Sequence, residues 1–128
     1  MTELARVLAE VRDAINSGTA PPNRGAAYQS GHASGLRFAG LCVLDQIAAA
    51  AGGLAMLTRS QDPPSERDRV RIMAALDRVA ARLAAHRRPW ADGESAAGYR
   101  DALVHALGVV SDRKEAISQQ SWCLTHQR

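Results

Sequence analysis

The sequence predicts an all-α fold, a compact bundle of four to five helices forming a single domain over residues 1–128. Three observations predict it. Alanine fills 25 positions, whereas Val, Ile and Thr together fill 16 and aromatic residues only five. Alanine loses no side-chain entropy in a helix, and β-branched residues suit strands better. Apolar residues also recur at helical spacing in four stretches bounded by glycine, proline or small polar residues, and no alternating run is long enough for a sheet.

The first helix is expected near residues 2–16, where Leu4, Val7, Leu8, Val11 and Ile15 make one stripe. Ser17-Gly18 and Pro21-Pro22-Asn23 end it and form a linker. The second is expected near 24–51, interrupted by Gly52-Gly53, with a short extension over Leu54 to Arg59. Its interior glycines, Gly31, Gly35 and Gly40, each cost about 1 kcal/mol against alanine, which packing must offset. The third is expected near 65–88. Ser65-x-x-Asp68 supplies an N-terminal cap, and Val70, Met73, Leu76, Val79, Ala80 and Leu83 share one side. Arg87-Arg88-Pro89 closes it with cations suited to a helix C-terminus and a proline that cannot continue it. Trp90 to Gly93 forms a turn. The fourth is expected near 94–122, with Ala102, Leu103, Ala106, Leu107 and Val110 as its apolar face. Asp112-x-x-Glu115 restarts it after a slight break, and Leu124 to Arg128 form a frayed tail.

Composition excludes several classes. The stretch Leu36 to Leu57 carries Arg37, Asp45, Gln46 and the Gly52-Gly53 pair, so it reads as a buried helix rather than a membrane span. Glu3, Glu10 and Asp13 break the apolar start, unlike a secretion signal, and a cytoplasmic location is expected. Cys42 and Cys123 are isolated and read as free thiols. No Walker loop, HExxH, GxSxG or dinucleotide fingerprint is present, and Ser111-x-x-Lys114 lacks companion motifs. Cys123 and His126 are the only closely spaced pair of Cys or His residues, so neither a metal nor a cofactor is expected. An enzyme would require the fold to gather His32, His105 and an acid around one pocket.

Two patterns carry the functional expectation. The formal charge of +3 is concentrated, because Glu66 to Arg88 holds seven Arg and three acids and the remainder sums to −1. Arg67, Arg71, Arg78 and Arg82 fall in a narrow angular band that helical spacing places opposite Leu76 and Leu83. Together with Arg87, Arg88 and Trp90 they form the candidate partner-binding surface, since Arg and Trp dominate binding hot spots. Such a face suits a protein partner with an acidic or nucleic-acid-binding surface. Nucleic acid itself, held through its phosphates, is the alternative partner, and a merely solvated face is the third reading.

The second pattern is a ridge of small residues, Ala27, Gly31, Gly35 and Ala39, spaced every four positions. It serves either helix packing or a homodimer seam, because missing side chains let another backbone approach closely. Tyr28, His32 and Leu36 form the neighbouring ridge, and no carboxylate lies one turn from His32 to orient it.

The stretch Tyr28-x-x-Gly31-x-x-x-Gly35-Leu36-x-x-Ala39 resembles a pattern found in many short helical proteins encoded by bacteriophages and other mobile elements. The resemblance spans some 12 residues. It implies a small non-enzymatic protein that binds a host protein, for instance as an inhibitor of a bacterial defence system, and it transfers no active-site residues.

Overall fold

The structure is a computed structural model that describes residues 3–54, 66–87 and 92–126, with side chains described for 3–49, 68–87 and 92–119. The fold is an all-α bundle of four helices: α1 (Glu3–Asn16), α2 (Ala26–Leu54), α3 (Glu66–Ala85) and α4 (Glu94–His126).

Helix α1 buries Val7, Leu8, Val11 and Ile15 as its spacing predicts. Its outer face pairs Arg6 with Glu3 and, at 3.0 Å, with Glu10. It stops where the Ser17 hydroxyl donates to the Ala14 carbonyl at 2.8 Å, competing with the backbone for that acceptor.

Helix α2 starts two residues later than expected, where the Gly25 carbonyl accepts the first helical bond from Gln29 at 3.0 Å. It then runs through Gly52-Gly53 to Leu54 without the expected interruption. Glycine weakens a helix but removes no hydrogen bond, so two in succession need not end it.

Helix α3 ends at Ala85, earlier than expected. The His86 amide is shared between the Arg82 and Leu83 carbonyls at 3.2 Å each, which tightens the last turn and stops the helix. Ser65, Arg88, Pro89 and Trp90 lie outside the described residues.

Helix α4 begins after Gly93, whose φ of +102° favours a residue without Cβ. It is unbroken to His126, so the expected break before Asp112 is absent and the helix runs past its expected end near 122. Val110 is buried at the expected break, and the next turn is tied down on two sides. Arg113 pairs with Glu10 at 2.8 Å, and Lys114 pairs with Asp77.

Helix α3 runs antiparallel to α2, and α4 antiparallel to α1. Asp45 meets Arg82 while Phe38 meets His86, and Glu10 meets Arg113 while Gly18 meets His105. The core is drawn from all four, with Leu8, Ile15, Val43, Leu76, Leu83, Leu103 and Val110 fully buried. The most extensive contact joins α2 and α4, which are parallel and not consecutive. Their backbones approach closely because the crossing is made of glycine. A Cβ on Gly31 would strike the Ser95 carbonyl, one on Gly98 would strike the Tyr28 carbonyl, and one on Gly35 would lie 2.7 Å from Ala102 Cβ.

Candidate functional site

The arginines of α3 do not stand opposite the core. Ile72, Ala75, Leu76, Val79 and Leu83 are all buried, so the buried arc is wider than Leu76 and Leu83 alone define. At about 100° per residue, Arg71, Arg78 and Arg82 fall beside Ala75, on the flank that faces α2. The face truly opposite the core holds Val70, 67% exposed, which the periodicity placed among the core positions. Val70, Met73, Ala74 and Asp77 line a shallow groove of about 580 Å³ with Ile117 and Ser118 of α4.

The flank position gives two arginines fixed partners. Arg78 Nε donates to Gln46 Oε1 at 2.7 Å, and Arg82 Nη1 donates to Asp45 Oδ2 at 2.7 Å. The Arg82 guanidinium lies 5.8 Å from the Phe38 ring centre, and the His86 ring packs on Phe38 at 4.7 Å. Both members of the Arg82–Asp45 pair remain solvent-accessible, so the pair orients more than it stabilises. Arg71 is half-buried and Arg87 exposed. Arg67 belongs to the first turn of α3, but its side chain, like Arg88 and Trp90 entirely, lies outside what is described. The structure therefore brings together Arg78 and Arg82 of the expected set and adds Phe38, Asp45, Gln46 and His86, which no spacing within α3 could reveal.

The ridge on α2 is occupied within the chain. Gly31, Gly35 and Ala39 are buried, whereas Ala27 is exposed and outside the contact. The matching feature on α4 is a second small-residue pair, Gly98 and Ala102, also four residues apart in the sequence.

A line of polar groups crosses the same seam. Glu94 pairs with Arg24 at 2.8 Å, and the Arg24 guanidinium covers the Tyr28 ring at 3.9 Å. The Tyr28 hydroxyl donates to Asp101 on α4, and its ring stacks on His32 with centroids 6.1 Å apart. The hydrogen bond to Asp101, then burial, raises the pKa of the Tyr28 phenol. His32 is only 6% exposed. Burial, then the neighbouring His105, lowers its pKa, while Asp101 opposes the shift. His105 Nε2 is buried without a hydrogen-bond partner, and Gly18 packs against that ring.

His32, His105 and Asp101 thus share one region of the α2–α4 seam. Two of the three are engaged there: Asp101 accepts from Tyr28, and His32 is enclosed by the glycine crossing. Among the described residues no group of three or more His, Cys, Asp or Glu is arranged to hold a metal ion, and no helix is long and apolar enough to cross a membrane.

Comparison with protein-family models, curated proteins and solved structures finds no match to this chain.

Proposed function

We propose that the chain is a non-enzymatic helical protein-binding module that presents the basic flank of α3 to an acidic surface of a partner protein. The observation that supports it is the anchoring of Arg78 and Arg82 by Gln46 and Asp45. Anchored guanidiniums lose less freedom on binding than free ones, and each keeps further N–H donors for a carboxylate partner. Three cations, Arg71, Arg78 and Arg82, share this flank with two acids, Asp45 of α2 and, by helical spacing, Asp68. An inhibitor or regulator of a larger complex, such as a host defence assembly, is the role that such a module fills. Cys42 is a free, buried thiol, in keeping with action in the cytoplasm.

The test is capture and identification of partners from the native source, comparing the wild type with a variant carrying Arg71→Glu, Arg78→Glu and Arg82→Gln. Loss of a defined partner from a variant with wild-type circular dichroism supports the proposal. Unchanged capture makes the arginines a solvated face. Retention on generic duplex DNA that falls steeply with salt, and is lost in the variant, moves the reading to nucleic acid.

A further inference from the structure

We infer that the docking surface extends from α3 onto α2 and is centred on Leu41, so that it fits an acidic protein segment carrying a large apolar side chain between its carboxylates. The inference rests on the proposed role of the α3 arginines and specifies what they would recognise.

Leu41 is 57% exposed, in contrast to the buried Ala39, Cys42 and Val43 beside it. Phe38, Leu41 and Asp45 are spaced three and four apart, so they share one helix face. The two outer members of that face touch α3. Phe38 packs under the Arg82 guanidinium and the His86 ring, and Asp45 binds Arg82 at 2.7 Å. Leu41 is therefore held next to the basic flank rather than elsewhere on the bundle. Arg37, four residues before it, borders its other side and donates to Ser34 Oγ at 3.1 Å. An exposed apolar side chain is thereby bordered by Arg37 on one side and by Arg82, with Arg78 beyond it, on the other.

That arrangement distinguishes protein from nucleic acid. Asp45 opposes any anion alike, but a phosphate backbone would leave Leu41 without an apolar contact. Phe38, the nearest aromatic ring, is already packed against His86 and lies 6.3 Å from Tyr99, so it offers no free face for a base. A segment bearing carboxylates around one apolar side chain instead satisfies the arginines in the pairwise geometry that guanidinium favours, and buries Leu41.

The probes are a labelled synthetic peptide with glutamates around leucines at helical spacing, its counterpart with serine in place of leucine, and a duplex DNA oligonucleotide. Anisotropy titrations are made with the wild type, with Leu41→Ser and with Arg78→Gln/Arg82→Gln. The leucine peptide is expected to bind most tightly, and Leu41→Ser to weaken it about tenfold without loss of helix content. Wild-type binding by Leu41→Ser, together with weakened binding by the arginine variant, overturns the extension onto α2 and leaves the α3 reading standing. Binding unchanged in both variants, or absent from the wild type, overturns the acidic-partner reading altogether. Equal binding of the serine peptide, or displacement by DNA at equal concentration, removes the apolar centre or the protein partner respectively.

Discussion

The Tyr28 hydroxyl donates to Asp101 across the α2–α4 seam, so the tightest helix crossing in the bundle is pinned by one phenol–carboxylate bond. The phenol is 2% exposed, whereas Asp101 reaches solvent. Removing the donor therefore leaves an acceptor that water can satisfy, which keeps the penalty modest. Tyr28→Phe is expected to lower the unfolding free energy by about 1 kcal/mol, measured by urea titration. A larger loss, in the range of core truncations, would show that the hydroxyl organises more than this bond.

The same bond sets a behaviour at high pH. The folded-state pKa of Tyr28 is raised, so its contribution to stability is complete below the ordinary phenol range and is lost as pH rises through the folded value. Near-ultraviolet titration is expected to show Tyr28 ionising later than a free phenol, and Tyr28→Phe to remove that late component. Two phenols ionising together in the ordinary range would contradict the bond.

His32 acts at the opposite end of the pH scale. Its folded-state pKa is lowered, so the unfolded chain binds the proton more readily than the folded one. Its stability contribution is present above the ordinary histidine range and is lost as pH falls through that range toward the folded value. Thermal melts between about pH 7 and pH 5 are expected to show falling stability, with a shallower slope in His32→Gln. Charged groups facing the ring are His105 and Asp101 on α4, with Arg24 and Glu94 at the far side of Tyr28. Equal slopes in wild type and variant would assign the acid sensitivity elsewhere.

Periodicity within a helix was legible in the sequence, and contacts between distant helices were not. The α1 stripe and the small-residue ridge on α2 follow from spacing alone, because both are one-helix patterns. The partners of Tyr28 and Arg82 lie 73 and 37 residues away, beyond any helical register, so Asp101 and Asp45 carried no local signal. The misplacement of Val70 has a different cause. Alanines at 74 and 75 look equivalent in sequence, and only packing reveals that Ala75 is 1% exposed and turns the core toward α2. Helix α2 runs past Gly52-Gly53 because glycine removes no hydrogen bond, and α4 runs past Asp112 where Val110 is buried and Arg113 and Lys114 are paired.

The glycines divide into two groups with opposite expected signs on substitution. Gly31 and Gly98 face backbone atoms of the opposing helix, which cannot move aside as a flexible side chain would. Gly31→Ala and Gly98→Ala are each expected to destabilise by at least about 2 kcal/mol, as overpacking of a tight interface does. Gly108 lies on the same helix as Gly98, yet a Cβ there meets nothing within 4 Å. Gly108→Ala should therefore gain helix propensity without a steric penalty, raising stability by about 0.5–1 kcal/mol. Urea denaturation of the three variants measures both signs in one experiment. Because all three are glycine-to-alanine changes within helices, propensity favours each alike, and the difference in sign isolates the close approach of α2 and α4. If Gly31→Ala is as stable as Gly108→Ala, the two backbones are not in contact at that crossing.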